Sequence, residues 1–396
     1  VNVAVVGGGI FGCTAALRLA KDGHRVSLFE RQGSLMQGAS GNSHGRIHRG
    51  YHYPRSPETI SQCKDGFERF VREFGSCVTR SVGIRQSGFD WASDWNDVYL
   101  LMKEGSLTSA NEFHSVCQRH GLPYCRFDPR SMPVEVRGVE ACFLADEAIF
   151  DADKLAVEVE ARLRAEDSVS VRLSTSVESV WSANNSAYTR EVFPDSLCLS
   201  LQGGGITGQY SLPGWDAVVN CTYADVNRLT VGLGFGVRPL RFESTAQLVV
   251  EMPAGFPRLG LSVMDSQERG VVLSPHGSSG KYLLYHVAHS VIAMQESLQV
   301  PREWLRPESS PFASVDRGEW EKRMIAGAAE FVPVLSEARP VGVLQSPRMV
   351  PAHSDERDER PTLVTVHSPR YLTVHAGKVD TSLQAADAVA HLLGDA

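Results

Sequence analysis

The sequence predicts an α/β protein in which a lobe on a parallel sheet interleaves with an α+β lobe built on an antiparallel sheet. Three observations carry this prediction. The opening residues run strand, glycine-rich turn, helix, strand. Short apolar strand patterns return far along the chain, at 216–221 and 363–374. Between them lie proline-interrupted and β-rich stretches that no strand–helix–strand repeat accommodates. At 396 residues, and with roughly 100 to 200 residues to a domain, there is room for two lobes. The expected boundaries are 1–85, 146–235 and 336–396 for the first lobe, and 86–145 and 236–335 for the second.

Taken in order, Asn2 to Val6 is a near-continuous apolar run of the kind a doubly buried parallel strand needs. Cys13, Ala16, Leu17 and Ala20 then recur at helical spacing up to Lys21 and Asp22, and Gly23 stands where helices stop. Arg25 to Glu30 reads as the second, parallel strand of a right-handed unit. Ser56-Pro57-Glu58 is an N-cap, a first-turn proline and a first-turn acid, opening a helix that runs to about Glu73 before Gly75. Residues 91–142 depart from the parallel sheet. Asp151 caps a helix with Leu155, Val159 and Leu163 on one face, and alternation from Val169 to Val180 reads as a strand. Arg241 through Ala293 is the antiparallel platform. A charged run at 357–360 precedes strands at Leu363 to Val366 and Tyr371 to Val374, and a final helix spans about Lys378 to Leu393.

Charge narrows the function. Lys plus Arg number 39 against 46 Asp plus Glu, and a net charge of -7 excludes a dedicated nucleic-acid binder. No run approaches the ~18 apolar residues of a membrane-spanning helix, and the chain shows no secretion signal. A soluble, cytoplasmic protein is expected. The eight cysteines form no CxxC pair and read as reduced thiols; Cys117, His120 and Cys125 lack a fourth ligand, so no metal site is expected.

Gly7-Gly8-Gly9-Ile10-Phe11-Gly12 fits GxGxxG between a buried strand and a helix. Gly7 makes the turn, Gly9 lets the backbone approach a diphosphate, and Gly12 lets helix and sheet pack closely. The helix start at Ile10 and Phe11 turns its N–H groups to the anion. Glu30 lies 18 positions after Gly12, where a carboxylate accepts hydrogen bonds from a ribose diol. This is a Rossmann-like pattern. Gly203 to Gly208 also fits the string, but no helix follows, so it reads as a hairpin turn. Gly41-Asn42-Ser43-His44-Gly45 fits the GxSxG elbow of an α/β-hydrolase, yet no strand precedes it. That glycine and serine loop suits close approach to a dinucleotide better. Arg46 to Arg55 concentrates three arginines, His48, His52, Tyr51 and Tyr53, either an anion or redox site or a basic surface loop.

These segments together resemble the FAD-dependent D-amino-acid oxidase (DAO) superfamily, which includes glycine and sarcosine oxidases, L-2-hydroxyglutarate oxidases and glycerol-3-phosphate dehydrogenases. VAVVGGGIFGCTAALRLA with VSLFER matches the family opening, and GNSHGRIHRGYHY the segment near the flavin ring. AIFDADKLAVEVEARL, DAVVNC and YLTVHAGKVDTSLQAADAV follow in the family's order. The resemblance implies a GR2-type Rossmann-like FAD-binding domain interleaved with an α+β substrate domain. It implies FAD contacts from Gly7, Gly9, Ile10, Phe11, Gly12, Glu30, Arg31, Ser40, Asn42, Ser43, His44, Gly45, His48, Gly377, Lys378 and Val379. In some relatives a histidine equivalent to His48 is bonded covalently to the flavin; in others it is a ring neighbour or base. Gly377 and Lys378 would open the last helix, its N–H groups facing the negative edge of a reduced flavin. One departure stands out: Tyr223 occupies the family's usual glycine position.

The chemistry expected is oxidation of a C–H bond next to an amine or hydroxyl of a small, anionic substrate of the amino-acid or 2-hydroxy-acid type. His48 or His52 would accept a proton, Tyr53 would line the site, and Arg348 or Arg46 would grip the anion. Oxygen or another acceptor would take the electrons. Three alternatives stay open: a flavin monooxygenase using NAD(P)H and oxygen, a noncatalytic flavin-fold binding protein, and a hydrolase using Ser43.

Overall fold

The computed structural model describes residues 1–86, 88, 90–185, 187–264, 266, 268–352 and 358–394. Asn2–Val6 stands near the middle of a six-stranded sheet, between Arg25–Phe29 and Ala217–Asn220. Val169–Arg172 flanks one side; Tyr371–His375 and Leu363–Ser368 complete the other. All neighbours are parallel except the last two. Alternation along Asn2–Val6 splits its side chains between two cores. Val3 and Val5 meet the helices Ile10–Lys21, Ala152–Arg164 and Ser382–Gly394 through Ala16, Leu19, Val159 and Val389. Ala4 and Val6 meet a three-stranded antiparallel meander, Thr175–Ser182, Leu197–Gly203 and Ile206–Trp215.

A second, nine-stranded sheet holds Asn96–Met102, Val139–Ala145 and Leu240–Glu251. It is antiparallel apart from Leu259–Met264 against Asn96–Met102. Val98 and Leu100 pack toward helix Arg317–Ala329 through Trp320 and Met324. Tyr99 and Leu101 pack toward helix Ala110–His120 through Phe113 and Cys117. A small sheet of Arg46–Ile47, Ala148–Phe150 and Val78–Arg80 lies between the large ones in sequence.

Several elements differ from expectation. The alternating stretch 169–180 is two strands in different sheets, because the chain turns at Ser174 with φ of 53°. Arg339–Pro351, expected with the first lobe, hydrogen-bonds along its length to Leu240–Glu251. The last helix begins at Ser382, not Lys378; a 3-10 turn, Val379–Thr381, comes first, closed by Thr381 N–H donating to Lys378 O. Of the charged run 357–360, Arg357 lies outside the described residues. The helix Pro57–Glu73 with its Ser56 cap, the Asp151 cap, and the hairpin at 203–206 occur as read. No helix among the described residues is long and apolar enough to cross a membrane.

Candidate active site

The glycine-rich turn is built by close backbone approach. Gly7 has φ of 107°, and a Cβ there would lie 2.7 Å from Cys221 O. A Cβ on Gly12 would lie 1.9 Å from Gly7 O. Gly9 ends the turn as the helix N-cap and lends no side chain to it. The carboxylate of Glu30 accepts from Gly8 N–H at 2.7 Å and Gln32 N–H at 2.8 Å, which fixes it at the end of its strand. Residues 31–45 form neither strand nor helix, so Ser43 is not on a strand-to-helix elbow. Ser40 Oγ instead accepts from Ile10 N–H at 3.0 Å, and Asn42 O from Gln247 Nε2 at 2.7 Å.

These groups open onto one cavity of about 1470 Å³. Every residue that the sequence offers as an FAD contact or a catalytic group lines it except Gly12 and Gly45. Arg31 and Glu30 line it together with Thr175 and Val177; His48, His52, Tyr53, Gly377, Lys378 and Val379 line it together with Arg348. The residues fit a dinucleotide with a redox headgroup. A side-chain-free turn, a strand-end carboxylate and a cluster of buried aromatic and basic groups share one space.

The polar cluster is tight. His48 and His52 rings lie 5.4 Å apart, and Tyr53 lies 5.7 and 5.3 Å from them. Lys378 Nζ sits 4.5 Å above the Tyr53 ring. Burial, then the nearby cations, holds His44 and His48 well below the usual imidazole range, and His52 follows with its neighbouring histidines. All three rings are therefore neutral at pH 7. Behind His48, Glu147 Oε2 lies 3.3 Å from Nδ1, and its Oε1 accepts from Arg49 N–H at 3.0 Å. Burial, chiefly, pushes Glu147 and Asp97 upward against the pull of the one guanidinium they share, Arg46.

Arg46 is thereby taken. Its guanidinium is 2% exposed and is bound by Asp97, Ser262, Tyr99 and Glu147. The expectation that it grips substrate is corrected to one that it holds the ion cluster beneath His48. Arg348 faces the cavity, but Nε donates to Glu243 Oε2 at 2.6 Å. Gly377 N–H is not turned to the cavity either: it donates to Thr362 Oγ1 at 2.8 Å. Tyr223 keeps the left-handed backbone that favours glycine, with φ of 55°, and its hydroxyl accepts from Met349 N–H at 3.4 Å.

Lys378 gives a pH-dependent expectation. Burial lowers it to about 8, against an ordinary 10.5, while Asp380 partly opposes the fall. In the apoprotein the folded state thus releases this proton before the unfolded chain does, so its contribution rises with pH across that window. Lys378→Met should stabilise apoprotein at pH 7 by about 1–2 kcal/mol, the cavity's water sparing the ammonium part of the cost. The advantage should shrink as pH rises from about 8 to 10.5. Thermal denaturation of both apoproteins at pH 7 and 10 measures it; an unchanged gap would contradict the assignment.

Sequence reasoning missed Asp97, Glu147, Glu243 and Tyr285. Asp97 had a signal, an acid within the otherwise apolar strand Asn96–Met102; the others had none, since their roles depend on pairing across the chain.

The family model for FAD dependent oxidoreductase (DAO) matches residues 2–394. The FAD-dependent monooxygenase FPY4 of Fusarium mangiferae is 24% identical over 395 residues, covering all of this chain and 91% of that protein. The FAD-dependent monooxygenase kojA of Aspergillus flavus is 47% identical over 77 residues, 19% of this chain and 18% of that one. The crystal structure of glycine oxidase from Geobacillus kaustophilus superposes with a TM-score of 0.69 at 18% identity, covering 99% of this chain and 94% of that one. The chain belongs to the DAO family of FAD-dependent oxidoreductases.

Proposed function

We propose that this enzyme oxidises a C–H bond next to an amine or hydroxyl of a small molecule, with oxygen or another acceptor completing turnover. The observation that carries the reading is the buried His48–His52–Tyr53 cluster, with Lys378, in the same cavity as the glycine-rich turn. When bound, FAD supplies the two-electron acceptor. Around it we assign the backbone of Gly7, Gly9 and Phe11 to the diphosphate, with Ile10 beside them, its N–H held by Ser40 Oγ, and the lone pairs that Glu30 keeps to the ribose diol, beside Arg31. Ser40, Asn42, Ser43, His44, Lys378 and Val379 are assigned to the isoalloxazine side. In this reading the six-stranded and nine-stranded sheets are the cores of a cofactor lobe and a substrate lobe.

His48 is the proton acceptor in this reading. Glu147 Oε2 faces Nδ1 at 3.3 Å, so in this reading Nε2 is the proton-accepting nitrogen, and burial keeps the ring deprotonated until a proton arrives from the substrate. His48→Asn should lower kcat by about 10²–10⁴-fold. Stopped-flow reduction at pH 8 checks this; an unimpaired variant would remove His48 from the role. A covalent link at His48 is excluded if acid precipitation leaves all the yellow colour in the supernatant.

A second reading, a monooxygenase using NAD(P)H and oxygen, is favoured by the name of the relative that aligns over the whole chain. Anaerobic bleaching separates the two. Alcohols, amines, hydroxy acids and amino acids added without NAD(P)H should bleach the flavin under the first reading and leave it yellow under the second.

A further inference from the structure

Arg348 is the residue the sequence offers to a substrate anion, and it reaches the cavity with its side chain 31% exposed. Its guanidinium already has a carboxylate. Nε and Nη2 both approach Glu243 Oε2, at 2.6 and 2.5 Å. The other oxygen of Glu243 lies 3.3 Å from Arg241 Nε. The pair is built into the sheet, because Glu243 and Arg348 are direct partners across the antiparallel ladder, and Arg241 shares their face two residues away. Glu243 is 6% exposed, so its charge is weakly hydrated. The Arg348 guanidinium lies 5.8 Å from the centre of the Tyr285 ring, and that ring contacts His44 at 4.8 Å. The pair therefore borders the loop assigned to the isoalloxazine.

A substrate carboxylate has two ways to use Arg348. It displaces Glu243, which leaves that buried charge to Arg241 alone, or it sits beside Glu243 and meets like-charge repulsion away from bulk water. An alcohol or amine meets neither obstacle. We propose that Glu243 determines specificity: it occupies Arg348 as an internal carboxylate, so the cavity takes amines or alcohols without a free carboxylate and rejects carboxylic acids. This rests on the C–H oxidation reading above and replaces its expected anionic substrate.

The test compares propionate with its neutral counterpart propionamide, by isothermal titration calorimetry on FAD-loaded wild type, Glu243→Gln and Glu243→Gln/Arg348→Gln. The amide in Glu243→Gln still accepts from Arg348, so the ladder is kept while the charge is lost. Glu243→Gln should raise propionate affinity relative to propionamide about tenfold or more, and the double variant should lose the gain. An unchanged ratio in Glu243→Gln, or a gain that survives in the double variant, overturns the proposal. If Glu243→Gln does not hold FAD, Glu243→Asp takes its place: the shortened acid should raise the ratio partway, and no rise again overturns it. Failure of the underlying reading looks different: no amine, alcohol, amino acid or hydroxy acid then bleaches the wild-type flavin, whatever propionate does.

Discussion

Gly12→Ala should yield a colourless protein. The added methyl would lie 1.9 Å from the carbonyl oxygen of Gly7, and that oxygen is backbone that cannot swing aside. Gly7 is itself pinned, its N–H donating to Phe29 O at 2.8 Å and its own Cβ position lying 2.7 Å from Cys221 O. The helix Ile10–Lys21 must therefore retreat from the turn, which widens the gap where its first N–H groups approach a diphosphate. Overpacking of this kind costs about 1–3 kcal/mol, so the fold survives while the nucleotide is lost. Gly23→Ala is the control: nothing lies within 4 Å of its Cβ position, but φ is 87°. That variant should lose about 1 kcal/mol and stay yellow. Visible absorbance on purification and urea denaturation read both effects. A yellow Gly12→Ala protein with wild-type stability would refute the role given to the turn.

Arg46→Met should be the most destabilising single change in the site. It removes the cation shared by Asp97 and Glu147, whose side chains are 1% and 0% exposed. Deleting one partner of a buried pair costs about 3–5 kcal/mol, because the remaining charge is left without compensation. The sign of the pH dependence follows. Both carboxylates stand at about 7 in the wild type, mainly through burial, so the folded state binds more protons than the unfolded chain below that value. Stability from these groups is therefore present at acid pH and lost as pH rises through about 7. Without Arg46 the carboxyls hold their protons to higher pH, and the loss continues further. The gap between variant and wild type should widen from pH 5 to pH 8.5 in urea denaturation. A gap that is constant, or under about 1 kcal/mol, would mean the cluster does not depend on this cation.

Legibility in the sequence followed the range of the interactions involved. The turn Gly7 to Gly12, the Ser56 and Asp151 caps and the 203–206 hairpin are made by residues close in the chain, and each occurs where the spacing places it. The hairpin was separable from the true turn because a helix follows only one of them. The last helix begins later than its pattern implies. Asp380 and Thr381 sit in a 3-10 turn, and no local periodicity distinguishes that turn from a first helical turn. The two arginines show the larger gap. Arg46 and Arg348 both looked like anion receptors, since nothing nearby in sequence tells whether a guanidinium finds its carboxylate inside the protein. Asp97 is 51 residues from Arg46, and Glu243 is 105 from Arg348.

What the sequence determined by itself was the nucleotide turn with its helix and acid, the order of the family's segments, and hence the FAD-dependent class; each is encoded in contiguous residues. What only the tertiary structure decided was which charges remain for a substrate. Side chains on different strands meet only in space, so Glu147 reaches His48 and Glu243 reaches Arg348 only once the sheets are assembled.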